Sequence, residues 1–109
     1  MLSYVSPVDL QSRLDGATPP VLVDVRKTPA RTESGLMIAG SERHLADQAD
    51  IWGPACGGAV VVYCVHGHEV SQGACAALRA IGVDAAYLEG GIEGWQAAGL
   101  PVVAIGGAE

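Results

Sequence analysis

Cys64 closes the apolar run Val60, Val61, Val62, Tyr63 and is followed by a short loop carrying His66, Gly67 and His68. Beyond the loop the spacing becomes helical, with Val70, Ala74, Leu78 and Ile81 expected on one face. The order implied is strand, tight loop, helix. A thiol placed there lies where main-chain N–H groups and the positive end of a helix dipole can converge on sulfur and favour the thiolate. Thiolate is the reacting form of cysteine, so Cys64 reads as a nucleophile, against the competing reading of a buried structural thiol. His66 and His68 raise the question of a metal. Three ligands in five consecutive residues converge poorly and no fourth is evident, so no metal site is expected and the histidines read as side chains at a pocket mouth. Glu69 reads as a first-turn acid complementing the helix dipole, with a pocket charge as the alternative. Cys75 falls next to Ala74 and reads as core, whereas Cys56 in a Gly-rich loop could be exposed, which leaves a resolving role toward Cys64 open.

The elements that must hold this loop follow from the punctuation of the chain. Ser6, Pro7 and Asp9 mark a helix start, with a brief strand at Tyr4 and Val5 before it and a helix end near Leu14, ahead of Asp15 and Gly16. Residues 21–25 form an apolar strand with Asp24 near its end. Residues 26–40 show no sustained periodicity and read as mostly irregular, with one helical turn around Pro29 to residue 33. An extended piece at residues 42–45, a helical turn or two through Asp50 and a turn-rich loop at residues 53–58 lead into the central strand. A strand at residues 84–88, a Gly90-Gly91 turn and a helix at residues 92–98 complete the order. Strands alternating with helices imply an α/β fold whose mostly parallel sheet carries helices on both faces. Right-handed crossovers align the carboxyl ends of the strands along one edge, so Asp24, Arg26, Cys64 and the Glu89-Gly90-Gly91 turn could share a rim. The 109 residues read as a single domain, 1–109, with residues 105–109 as a frayed tail. Trp95 reads as core and Trp52 as a surface patch or partner contact.

Composition excludes several classes. A net charge of -6, with six Lys and Arg scattered along the chain, argues against nucleic acid as a partner. No apolar run approaches the roughly 20 residues needed to span a bilayer, so no membrane association is expected. The first residues lack a basic segment followed by a long apolar one, which makes the cytoplasm the expected location. Three cysteines cannot all pair within the chain, and their spacing matches no common zinc framework, so reduced thiols are expected.

The segments LVDVR at residues 22–26, IAGS at 38–41, VVVYCVHGHEVS at 60–71 and LEGGIEGWQAAGLPV at 88–102 stand in the order and spacing of a rhodanese-like domain. The sequence resembles that family over essentially its whole length. The resemblance implies a central, mainly parallel five-stranded sheet and a sulfurtransferase activity. Sulfane sulfur would pass from a donor such as thiosulfate or a persulfide, small or protein-borne, to a thiol or cyanide acceptor, with no cofactor. It also implies that Cys64 carries the persulfide and that Val65, His66, Gly67, His68 and Glu69 form a cradle of main-chain N–H groups for an anion. A binding or sensing module with little turnover is the alternative, and reduction of an oxyanion such as arsenate or chromate a third reading. Two departures stand out. Many thiosulfate-using relatives have loops resembling C-x-x-G-x-R-S, whereas Glu69 and Val70 stand here in place of Arg and Ser. A carboxylate facing the pocket would repel a dianionic donor, which favours a persulfide. Ala30 and Arg31 replace the usual acid-aromatic pair, which weakens the expectation of an internal ion pair to Arg26. A phosphatase would need an arginine six residues after the cysteine, where this chain has Val70.

Overall fold

The structure is a computed structural model that describes residues 3–105. Its core is a five-stranded sheet with the order β1-β6-β5-β2-β4, built from β1 (Tyr4–Val5), β2 (Val21–Asp24), β4 (Glu42–Arg43), β5 (Val60–Tyr63) and β6 (Ala85–Leu88). Every pairing in it is parallel. A second, antiparallel ribbon pairs β3 (Leu36–Ile38) with β7 (Val102–Ala104).

The central strands alternate faces, as the two-residue strand period requires. Val60 and Val62 of β5, with Val23 and Val25, pack under α3 (Ala49–Ala55) and α4 (Glu69–Ala80) through Trp52, Ala74, Cys75 and Leu78. Val61, Tyr63 and Leu22 face the other way, against Leu10 of α1 (Pro7–Leu14) and Ile92 and Trp95 of α5 (Gly91–Ala97). Helices therefore cover both faces, as expected of a parallel sheet with apolar strands. Helix α1 starts as its sequence predicts, with the Ser6 hydroxyl accepting from the Asp9 N–H at 3.2 Å and Pro7 in the first turn.

Several expectations are corrected. Residues 26–40 are not mostly irregular: they form α2 (Thr28–Ser34) and β3. Pro and Gly at residues 53–54 do not mark a loop but lie inside α3, where Gly53 brings the helix so close to α4 that an added Cβ would collide with the Leu78 side chain. The buried face of α4 is Ser71, Ala74, Cys75 and Leu78, while Val70 is half-buried and Ile81, at the helix end, is exposed. Trp52 is buried rather than a surface patch, donating its indole N–H to the Leu45 carbonyl at 2.8 Å and stacking on the His44 ring. Ile105 is not frayed, since its N–H donates to the Gly35 carbonyl at 2.9 Å; the rest of the expected tail lies outside the described residues. No helix is long and apolar enough to cross a membrane among the described residues.

Burial pushes the Cys75 thiol above its ordinary 9.0 and the Tyr63 hydroxyl above its ordinary 10.0, the latter helped by the Asp24 carboxylate. The unfolded chain releases these protons at the ordinary values while the folded chain retains them. The stability they confer is therefore complete below the unfolded values and is lost as pH rises toward the folded ones. Urea midpoints should fall steadily as pH rises above about 9. In Cys75→Ala the decline should be shallower; an unchanged slope would remove the thiol from this account.

Candidate active site

The cysteine loop begins where β5 ends, and its shape is imposed by the turn that follows β6. The N–H groups of Ile92 and Glu93, in the first turn of α5, donate to the carbonyls of Cys64 and Val65 at 2.9 and 3.1 Å. Two exposed polar demands are met at once, because a helix start has N–H groups without intrahelical partners and a strand end has free carbonyls. The approach is close. A Cβ at Gly91, whose φ is +61°, would overlap Val65 O and lie 2.5 Å from Cys64 O. A Cβ at Gly67, with φ +76°, would lie 2.8 Å from both Gly90 N and Leu88 O. Both positions thus need glycine for their backbone angle and for space. The loop is further fixed by Gln72, whose amide donates to Gly67 O at 3.0 Å.

With its carbonyls turned to α5, the loop keeps its donors unused. Among the described residues none accepts a hydrogen bond from the main-chain N–H groups of residues 65–71. The first intrahelical bond of α4 is Gln72 N–H to His68 O at 3.0 Å. The Cys64 sulfur is 5% exposed by residue and lies 3.1 Å from the Ser71 hydroxyl. Ser71 escaped the sequence reading, which sought a hydroxyl at position 70. The available signal was its place in the first turn of the helix fed by the loop, on the side that α4 buries.

A cleft of about 300 Å³ opens over the thiol, lined by Arg26, Lys27, Ala30, Cys64, Val65, His66, His68, Glu69 and Val70. His66, His68 and Glu69 are exposed and Val65 is half-buried. Glu69 is thus both a first-turn acid of α4 and part of the cleft wall. His66 Nδ1 lies 3.4 Å from a Glu93 carboxylate oxygen. Among the described residues no three His, Cys, Asp or Glu side chains form a group that could hold a metal ion.

Asp24 does not line the cleft; it supports Arg26 from behind. The Arg26 Nε and Nη2 donate to its two carboxylate oxygens at 3.0 and 2.7 Å, and the Arg26 main-chain N–H also donates to it at 3.0 Å. The ion pair whose expectation residues 30 and 31 weakened therefore exists, supplied from two residues upstream. Arg31 joins it, donating Nε to Asp24 at 3.0 Å. Arg26 also donates to Leu36 O at 2.7 Å and lies over the Tyr63 ring, leaving Nη1 as a buried nitrogen without a partner among the described residues. Cys56 ends α3, half-buried, with its sulfur 3.5 Å from Trp52 O, and it does not line the cleft. Burial and then the Glu42 carboxylate push its thiol up.

The model of the Rhodanese-like domain family matches residues 6–98. Among solved structures, a protein of Rhodopseudomonas palustris described as of unknown function and a possible tyrosine phosphatase is 25% identical, with a TM-score of 0.79 over 94% of this chain and 85% of that one. A rhodanese-related protein of Thermoplasma volcanium is 24% identical, with a TM-score of 0.77 over 93% of this chain and 97% of its own. A thiosulfate sulfurtransferase of Pseudomonas aeruginosa is 23% identical with a TM-score of 0.78; the match takes in 95% of this chain but only 20% of that longer one. At such identities the last two report a shared fold.

The Gly91 contact generates a test. Gly91→Ala should lower the unfolding free energy by about 1–3 kcal/mol beyond Gly99→Ala, which shares a positive φ of +77° but has nothing within 4 Å of the added carbon. Equal losses in urea titrations would mean that the α5 contact does not constrain the loop.

Proposed function

The chain belongs to the rhodanese-like domain family, and from that premise we propose that it is a sulfurtransferase working through a persulfide on Cys64. One observation carries the reading: a thiol faces a cleft beside a hydroxyl, under a loop whose main-chain N–H groups have no acceptor among the described residues. The Cys64 thiolate attacks the outer sulfur of a donor persulfide, R–S–SH. The donor S–S bond breaks, R–S⁻ leaves, and Cys64 becomes Cys–S–SH. The Ser71 hydroxyl donates to sulfur in the thiolate form. The N–H groups of Val65, His66, Gly67, His68 and Glu69 then stabilise the negative charge of the ionised persulfide, as preorganised donors do in a site that excludes bulk water. A thiol or cyanide acceptor removes the outer sulfur and regenerates the thiolate. No cofactor enters the cycle, and the partners are the small or protein-borne donor and the acceptor. The three free thiols suit a reducing compartment, and the cytoplasm is the proposed place of action.

Donor choice follows from charge. Glu69 on the cleft wall opposes the second negative charge of thiosulfate, partly offset by Lys27. A singly charged or neutral persulfide suits this balance better. A phosphatase reading finds less support, because Val70 occupies the sixth position after Cys64 and the Nε/Nη2 edge of Arg26 is already taken by Asp24.

Intact mass spectrometry after brief exposure to a small persulfide should show a gain of about 32 Da that thiol or cyanide discharges and that is absent from Cys64→Ser. Thiosulfate should load more slowly. Ser71→Ala, which removes one hydrogen bond to a charged sulfur, should slow loading about tenfold. A fully folded wild type that neither donor loads would overturn the transfer reading in favour of a binding or sensing module.

A further inference from the structure

A second cavity, of about 440 Å³, adjoins the cysteine cleft and shares Arg26, Ala30 and Val65 with it. Its size falls in the range of small-molecule sites, roughly 300–1,000 Å³. The sulfur chemistry makes no use of it. Its wall combines one buried cation with two carboxylates, Arg26 on one hand and Glu33 and Glu93 on the other, together with the uncharged Gln96 and Ser34. Arg26 is 1% exposed, and its Nη1 is the nitrogen that neither Asp24 nor Leu36 O reaches. A buried guanidinium N–H without an acceptor is costly, and an anionic group in the cavity would remove that cost. Ala30 carries only a methyl group, so no carboxylate of its own fills the space between the two cavities. Glu33 and Glu93 are exposed, which places their charge toward the outer part of the wall.

We propose that this cavity holds the organic end of the sulfur donor, and that the donor is the persulfide of a low-molecular-weight amino-acid thiol with a free carboxylate and a free ammonium. The inference rests on the persulfide reading above. The carboxylate accepts from Arg26 Nη1, which is sealed from the cavity in this structure and shifts toward it to donate, the ammonium donates to Glu33 and Glu93, and the side chain carries its sulfane sulfur past Val65 to Cys64. The transfer is the step already given: the Cys64 thiolate bonds to the outer sulfur, the donor S–S bond breaks, and the amino-acid thiolate leaves. Thiosulfate could engage Arg26 through its oxygens but has no ammonium to offer Glu33 and Glu93.

The test separates recognition from turnover. Cys64→Ser is titrated with S-methylcysteine, an unreactive thioether with both charges, and with its methyl ester and its N-acetyl derivative, while amide NMR shifts are followed. Loss of one charged hydrogen bond corresponds to about tenfold or more in affinity, so the ester and the N-acetyl compound should each bind at least that much more weakly. Shifts should centre on Ala30, Glu33 and Val65. In the double variant Glu33→Gln, Glu93→Gln the penalty for N-acetylation should vanish while that for esterification persists. Equal binding of the three compounds, no binding of any, or shifts confined to another face would overturn the proposal. On the wild type, the kcat/KM for cysteine persulfide should exceed that for mercaptoethanol persulfide by about tenfold or more. Equal values would reject the amino-acid site while leaving the transfer reading intact. Binding of S-methylcysteine without loading by either persulfide would reject transfer and leave the site standing.

Discussion

The geometry around Cys64 depends on the hydrogen bonds from Ile92 and Glu93 to the carbonyls of Cys64 and Val65. A peptide unit that offers its carbonyl to one side presents its N–H on the other, so engaging the carbonyls with α5 decides how the loop's donors are used. The same bonds cap the start of a seven-residue helix that has no side-chain N-cap. Gly90 and Gly91, both at positive φ, allow the two backbones to meet at this distance. The functional loop is thus shaped by a segment remote in sequence, brought beside it because β5 and β6 are neighbours in the sheet.

Beneath that contact lies the Asp24 and Arg26 pair. Removing one partner of a fully buried ion pair leaves the other uncompensated, so replacing either residue alone is strongly destabilising. Their fork is closed by Arg31 from α2 and by Leu36 O from β3, which joins the end of β2 to the ribbon. The cleft is therefore backed on the Arg26 side by a buried ion pair, while its mouth is formed by exposed His66, His68 and Glu69.

The sequence made the central part of this arrangement readable because its signals are local. A four-residue apolar strand, a cysteine, a glycine-containing loop and a helical spacing all occur within residues 60–80, and the Ser6-Pro7 cap sits next to the helix it starts. Features that rest on contact between distant segments were not readable. The β3 and β7 ribbon pairs two three-residue stretches, too short to show a period, from opposite halves of the chain. Gly53 looked like a turn because its purpose, close approach to Leu78, is recorded in another helix. Trp52 looked exposed because its indole acceptor is a backbone carbonyl, which no side-chain pattern announces. Ser71 was missed by one position, since a helix turns about 100° per residue and the buried side of α4 could not be fixed to that accuracy from apolar spacing alone.

The register of the two sheets also sets a timetable for synthesis. Tyr4 and Val5 pair with Tyr87 and Leu88, and Leu36, Met37 and Ile38 with Ala104, Val103 and Val102. On the ribosome, β2, β4 and β5 can associate as soon as Tyr63 has emerged. Strand β1, made first, has no neighbour until β6 appears, and β3 waits for β7. The nascent chain therefore carries unpaired strands until β6 and β7 have emerged. Such intermediates are where chaperone contact and misassociation concentrate. The cysteine loop takes its final shape only after α5 has left the exit tunnel, so a truncated chain would carry Cys64 without the contacts that shape its loop.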